Sequence, residues 1–187
     1  MKRLLDIILS LIAIIIFAIP MFIVAISIKI TSKGPILFKQ QRIGKDCVHF
    51  EIYKFRSMYT ETPNVSTEAL GNPSAYITPV GKFIRKTSLD ELPQLFNILK
   101  GDMAVVGPRP ALYNQYELIT KRDEAEVNRV RPGLTGYAQI MGRDRISDDE
   151  KVAYDKHYVD NYSIWFDIKI IFMTVFSVAK ADGVRMK

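Results

Sequence analysis

The sequence predicts a mixed α/β fold, mostly helical, led by an apolar helix of membrane type. Three observations carry that reading. Residues Ile7–Ile28 form a run of 22 without a charge. Behind it, short β-type segments alternate with longer segments of helical periodicity. Turns rich in Pro and Gly separate them, with no internal repeat and no interdomain linker. The chain of 187 residues therefore reads as one domain, 1–187, with residues 1–30 in the membrane and 31–187 outside it.

The apolar run comes first. At about 1.5 Å per residue, its 22 residues make a helix about 33 Å long, enough to cross a bilayer. Pro20 lies inside it, and proline removes a backbone donor and clashes with the carbonyl of Ile16. Lys2 and Arg3 precede the run, and Lys29, Lys33, Lys39, Arg42 and Lys45 follow it. Basic flanks favour the cytoplasmic side. Two arrangements fit: a Pro-kinked single span, or a re-entrant hairpin that bends near Pro20 and returns to the same leaflet. A cleaved signal peptide fits less well, because the run is long and Pro20 follows Ala18-Ile19 closely.

The remaining elements follow in order. Ser32-Lys33-Gly34-Pro35 stops the helix. Ile36–Phe38 and Val48–Phe55 read as strands joined around Gly44-Lys45-Asp46. Residues 57–80 hold three prolines and read as a long binding loop or lid. Phe83–Leu99 reads as helical and ends at Lys100-Gly101, where a basic residue and then glycine are usual. Ala104–Val106 reads as a short buried strand, Ala111–Val130 as a charged helix and Arg131–Gly136 as a turn. Tyr137–Met141 reads as a strand, Ser147–Tyr162 as a helix with aromatic residues, and Ser163–Lys180 as a final apolar helix. Tyr158, Tyr162 and Trp165 read either as core or as an interfacial aromatic belt.

Composition narrows the chemistry. A hydrophobic content of 48% excludes a wholly disordered chain. The net charge of +6 suits anionic lipid, nucleotides or nucleic acid without choosing among them. A single cysteine, Cys47, excludes an internal disulfide, and His49 and His157 alone do not make a histidine-rich zinc centre. Magnesium on carboxylates and substrate phosphates is the metal to expect. No phosphate-loop, dinucleotide or nucleophile-elbow motif occurs.

Asp90-Glu91 is the pair most suggestive of chemistry. Ser88-Leu89-Asp90-Glu91 fits a helix-capping box, which accounts for Glu91 without a function. Asp90, in the first helical turn, would be stabilised as an anion and is a competent nucleophile on phosphorus. Its neighbour can hold magnesium or move a proton. Gly107-Pro108-Arg109-Pro110 sets one arginine between two prolines, which limits the entropy lost when the guanidinium grips a phosphate. Lys54-Phe55-Arg56 and Arg85 add cations near the pair. Gly142-Arg143-Asp144-Arg145 offers loop cations and is weak alone. His49 reads as structural, and Asp148-Asp149-Glu150 as a solvated helix start.

These residues resemble the small monotopic phosphoglycosyl transferases of the bacterial sugar transferase family. The matching text is Lys54-Phe55-Arg56-Ser57-Met58, Gly81 to Leu95, Asn97 to Met103, Val106 to Pro110, Arg131 to Gly136 and Gly142-Arg143. Thr62-Pro63-Asn64-Val65 and Ala111 to Tyr116 are similar to the capsular-polysaccharide members. The resemblance covers essentially the whole chain. It implies transfer of a phosphosugar from a UDP-sugar to undecaprenyl phosphate with release of UMP, as the first membrane step of capsule, exopolysaccharide or glycoconjugate synthesis. It implies Asp90 as the covalent nucleophile, Glu91 as helper, magnesium held by Asp90 and Glu91, and phosphate binding by Arg109, Arg85, Lys54 and Arg143.

The same resemblance implies a re-entrant hairpin bent at Pro20, interfacial amphipathic helices, and residence on the cytoplasmic face of the bacterial inner membrane. Anionic lipid is an expected partner, nucleic acid is not, and a homodimer is an expected assembly. An N-acetylated hexosamine is the expected sugar. One departure stands out: the family bends at Ser-Pro, and here Ile19 precedes Pro20, so no serine hydroxyl is present to tie down the freed carbonyl. A magnesium-dependent UDP-sugar pyrophosphohydrolase and a membrane-tethered scaffold are the competing readings.

Overall fold

A computed structural model describes residues 1–63, 65, 70–142 and 145–179. Arg143, with its predicted phosphate contact, lies outside the described residues.

The apolar run forms α1, Lys2–Thr31, a helix long and apolar enough to cross a membrane. Its outer face is bare: Ile15, Ile16, Ile19, Phe22, Ile23 and Ile30 are all exposed. The sequence led us to expect a bend near Pro20, and helical structure runs from Lys2 to Thr31 with Pro20 inside it. Membrane helices tolerate an internal proline where neighbouring groups satisfy the freed carbonyl.

Both ends of α1 pack on the same body. Near the start, Lys2 donates to the Val106 carbonyl at 3.0 Å and to Asp167 at 2.6 Å, and Asp6 accepts from the Val105 amide at 3.0 Å. Further along, Ala13 and Ile14 pack against a core of Ile52, Leu95, Ile98 and Met103. Near the end, Val24 and Ile28 pack with Phe55 and Ile84. Arg56 then closes the helix, donating to the carbonyls of Ser32 and Lys33. Burying these apolar groups drives the docking, and the polar ties satisfy backbone groups that docking removes from water.

Two small sheets carry the β structure. β1, Leu37–Ile43, pairs antiparallel with β2, His49–Phe55, with Gln40 opposite Ile52. Their connection holds Asp46 and Cys47 at positive φ. Among the described residues of the segment 57–80, the two ends are tied together. Met58 bridges Ile77, the Tyr59 amide donates to the Tyr76 carbonyl, and α2, Pro73–Tyr76, closes the neck.

α3, Pro79–Lys86, is capped by Thr78, whose hydroxyl accepts from the Gly81 amide at 2.9 Å. The single helix expected over Phe83–Leu99 is split. A short 3-10 turn, Leu89–Glu91, separates α3 from α4, Gln94–Lys100, because Ser88 turns left-handed at φ 57 and Pro93 follows. Asn97, buried in α4, accepts from the Tyr53 amide and donates to the Glu51 carbonyl, which staples α4 to β2.

β3, Ala104–Val106, is a short strand as expected. The segment read as a turn, Arg131–Gly136, contains its partner β4, Gly133–Thr135, paired in parallel with Ala104 opposite Gly133. Two glycines make this close approach feasible. A Cβ on Gly133 would fall inside the van der Waals shell of the Gly107 amide, and one on Gly107 would meet the Arg131 carbonyl.

The charged helix is shorter than its polar pattern suggested: α5 spans only Tyr116–Glu124, and Glu126 at φ 57 ends the run. The expected strand at Tyr137–Met141 is a short helix, α6. Five residues with apolar and polar positions mixed do not separate the two periods, and the flanking Gly136 and Gly142 fit either element. α7, Asp148–Asp160, opens with a capping box between Ser147 and Glu150, so the acidic helix start has the structural role expected. α8, Ile164–Ala179, packs Ile170 into a core with Val106, Tyr158 and Val159. Its other face exposes Trp165, Ile168, Phe172 and Val175. Tyr158 is therefore core, whereas Trp165 faces outward.

Candidate active site

Four segments converge on one cavity of 1170 Å³. β2 supplies Lys54 one residue before its end, and α3 supplies Arg85 in its last turn. The 3-10 turn supplies Asp90 and Glu91, and the loop after β3 supplies Arg109. All five line the cavity, whose wall also includes Ala25 and Lys29 of α1 and Arg122, Gln139 and Lys151. The volume lies above the usual range for a small-molecule site, about 300–1,000 Å³.

The two carboxylates have different surroundings. Glu91 holds two cations on one oxygen: Lys54 Nζ donates to Oε1 at 2.8 Å and Arg109 Nη2 donates to the same atom at 2.9 Å. Burial alone would raise its pKa, but Arg109 and Lys54 overcome that and hold the carboxyl well below the ordinary value. The capping box predicted for Glu91 is not formed, since Ser88 makes no side-chain cap and the Glu91 carboxylate is turned to the cations. Burial lowers the pKa of Lys54, and Glu91 opposes that fall.

Asp90 is buried at 9% exposure and has no hydrogen bond or ion pair among the described residues. Burial pushes its pKa from 3.8 up to about 6, and the charge of Glu91 pushes the same way. Lys54, Arg85 and Arg109 oppose the rise. Asp90 is not in the first turn of a long helix, because α4 begins only at Gln94. The dipole argument made from the sequence therefore does not apply. What marks this carboxylate is burial without a partner, beside three cations, in the wall of a large cavity. Near neutral pH it is an anion with its lone pairs free, which is the state a nucleophile requires.

The arginine turn is rigid for more reasons than its two prolines. Arg122 donates to the Arg109 carbonyl at 2.7 Å, Arg42 donates to the Pro110 carbonyl at 3.0 Å, and the Ile43 amide donates to the Ala111 carbonyl at 3.0 Å. Three consecutive carbonyls are thus held by other elements. In the sequence Arg42 reads only as a basic flank of the apolar run and Arg122 only as part of a charged helix, and neither was given a place in the site.

Of the cations predicted around the pair, Lys54, Arg85 and Arg109 are brought together. Arg56 is not a comparable phosphate ligand, because its guanidinium is occupied at the end of α1. His49 is exposed on β2, away from the cavity lining.

The donor set bears on magnesium. Among the described residues, no group of three or more His, Cys, Asp or Glu side chains could hold a metal. Asp90 and Glu91 offer two carboxylates, with only Glu91 Oε1 engaged by cations. That supply fits a magnesium ion that takes its other ligands from substrate phosphates and water, and does not fit an all-protein cage.

A profile of the bacterial sugar transferase family matches residues 1–181. The chain belongs to that family. It is 43% identical over 183 residues to a UDP-glucose:undecaprenyl-phosphate glucose-1-phosphate transferase of Klebsiella pneumoniae, covering 94% of this chain and 39% of that protein. It is 39% identical to a UDP-N-acetylgalactosamine-undecaprenyl-phosphate N-acetylgalactosaminephosphotransferase of Aeromonas hydrophila, over 98% of this chain and 45% of that protein. It is 38% identical to the exopolysaccharide production protein ExoY of Sinorhizobium fredii, over 97% of this chain and 87% of that one. The chain thus spans less than half the length of the first two relatives. Their names carry different sugars at similar identity, so overall similarity does not select a sugar.

Proposed function

We propose that this protein transfers a phosphosugar from a UDP-sugar to undecaprenyl phosphate. The observation that carries the reading is Asp90: a buried carboxylate without a partner, beside a second carboxylate already neutralised by Lys54 and Arg109. A scaffold has no use for an unpaired buried anion, which costs stability.

The first step is attack of an Asp90 oxygen on the β-phosphorus of the donor. A new O–P bond forms, the bond from that phosphorus to the bridging oxygen breaks, and the electron pair leaves with UMP. In the second step a phosphate oxygen of the lipid attacks the same phosphorus. The Asp90–phosphorus bond breaks, the carboxylate is restored, and the sugar leaves on a lipid diphosphate. Arg109 and Arg85 bind phosphate oxygens in both steps, and charge developing on the departing oxygen is met by fixed cations. Lys54, held against Glu91, fixes the second carboxylate beside the reacting centre. Magnesium held by Asp90, Glu91 and substrate phosphates would supply further charge neutralisation of the diphosphate. Arg143 completes the phosphate cations by resemblance.

The membrane enters the reading through α1 and α8. The exposed apolar faces of both helices sit in the cytoplasmic face of the inner membrane, and basic residues flanking α1 meet anionic headgroups. Docking of both ends of α1 on one body favours a re-entrant segment over a crossing. The cavity side lined by Ala25 and Lys29 is then where a membrane lipid enters. The donor sugar is an N-acetylated hexosamine in this reading, and the assembly a homodimer.

A panel of UDP-sugars tests the activity, with UMP release measured with and without undecaprenyl phosphate and magnesium. The reading predicts that release beyond one UMP per protein needs the lipid, and that all release disappears in Asp90→Asn. Steady release without lipid would favour the pyrophosphohydrolase instead.

A further inference from the structure

One arginine in the cavity wall has both of its terminal guanidinium nitrogens bonded within the protein. Arg122, from α5, is buried with its side chain at 5% exposure. Nη1 donates to the Arg109 carbonyl at 2.7 Å, and Nη2 donates to Asp155 Oδ2 of α7. Its Nε is buried without a partner. Arg109 differs in each respect: its side chain is 39% exposed, and its guanidinium reaches Glu91.

A buried guanidinium is expensive unless it is paired and hydrogen-bonded. Asp155, at 1% side-chain exposure, supplies the pairing. The bond to the Arg109 carbonyl does something else. It ties the backbone of the residue that grips Glu91 to two helices, α5 and α7, that lie outside the reacting centre. A neutral residue at position 122 would fill space without holding that carbonyl, and a shift of about 1 Å in a binding group can cost a hundredfold in rate.

We propose that Arg122, paired with Asp155, is a positioning residue: it sets the place of the Arg109 guanidinium in the phosphate site. Its effect on turnover rests on the proposed phosphosugar transfer, but its effect on the turn does not. Arg122 touches no substrate atom. It acts through the backbone of Arg109, with Arg42 on the Pro110 carbonyl as the neighbouring brace.

The test uses the full chain in lipid nanodiscs and the variant Arg122→Lys. A lysine keeps the charge for Asp155 but cannot fork to Asp155 and to the Arg109 carbonyl together. Should that variant fail to fold, the double variant Arg122→Gln, Asp155→Asn removes both charges at once and leaves no buried ion unpaired.

Two readouts are taken. The first is hydrogen exchange of the amides of Arg109, Ala111 and Leu112, which needs no ligand. It is expected to speed up about tenfold, with exchange in α4 and α7 unchanged. The second is a cycle with Arg109→Ala, read as binding of UDP alone. Arg122→Lys is expected to weaken UDP about tenfold in the wild-type background and to change nothing once Arg109 is gone. Unchanged exchange in the turn would overturn the proposal. So would equal weakening of UDP in both backgrounds, which is what a general structural role gives. If the wild type itself fails to bind UDP, the proposed donor is wrong, and the exchange result alone decides the role of Arg122.

Discussion

Asp90→Asn is expected to make the protein more stable while abolishing transfer. Burial and the charge of Glu91 raise the Asp90 pKa from 3.8 to about 6. Below pH 3.8 both the folded and the unfolded chain hold the proton, and the group is neutral in its effect. Between 3.8 and about 6 the folded chain holds a proton that the unfolded chain has released, so stability falls as pH rises through this window. Each tenfold change in proton affinity is worth about 1.4 kcal/mol, so the penalty reaches about 3 kcal/mol at pH 7.5. An amide has no such penalty.

The advantage of Asp90→Asn over wild type is thus about 3 kcal/mol at pH 7.5 and about 1 kcal/mol at pH 4.5. Urea unfolding in detergent micelles, followed by far-ultraviolet circular dichroism at both pH values, measures it. A variant that is less stable than wild type at pH 7.5, or equally stabilised at both pH values, would refute the reasoning. Finding the predicted gain would mean that the site gives up stability to hold a free anion, as strained functional sites do.

Further predictions concern the neighbours of Asp90. The same carboxyl must ionise to attack, so kcat/KM is expected to rise with pH through about 6, read from a pH profile of UMP release. Glu91→Gln removes the second cause of the raised Asp90 pKa and should move that midpoint lower in a carboxyl titration. It also leaves Lys54 and Arg109 without their anion, costing about 3 kcal/mol in urea unfolding. Because the Glu91 carboxyl sits below its ordinary value of 4.5, its contribution to stability is present above that pH and is lost as pH falls. Gly133→Ala should destabilise the protein by about 3 kcal/mol, since the new Cβ meets only backbone, that of Gly107 and the Thr135 carbonyl; thermal unfolding would measure it. Pro20→Ala, probed by cysteine labelling at Met1 and Ser32, is expected to straighten α1 and separate the two ends across the membrane. Both ends remaining cytoplasmic would mean that docking, and not proline, sets the topology.

Different parts of the molecule were legible in the sequence for different reasons. The apolar helix, β2 and the acidic start of α7 declare themselves through local patterns and appear where those patterns place them, whereas β1, read only to Phe38, runs on to Ile43 against β2, and the Ser147 capping box was not read from the sequence. β4 and α6 did not declare themselves, because a strand of three residues and a helix of five are fixed by their neighbours: β4 exists only because Gly107 and Gly133 let β3 lie against it. In the site, Asp90, Glu91, Lys54, Arg85 and Arg109 were all legible as residues, and all five line the cavity. Their arrangement was not. The sequence assigned Asp90 and Glu91 different roles, but it did not show that Glu91 takes both cations and Asp90 none. The capping box at Ser88 failed because a left-handed residue and Pro93 delay the helix. Arg122 and Asp155 were invisible, since a buried pair between two helices leaves no mark in either one.

The central claim is that Asp90 carries the phosphosugar. Intact-protein mass spectrometry after mixing with the accepted UDP-sugar, without lipid, tests it most directly. The account predicts a mass gain of one phosphosugar, placed on Asp90 by peptide fragmentation, absent in Asp90→Asn and discharged by undecaprenyl phosphate. Lipid-dependent UMP release with no adduct under quenched conditions, or an adduct that persists in Asp90→Asn, would contradict it.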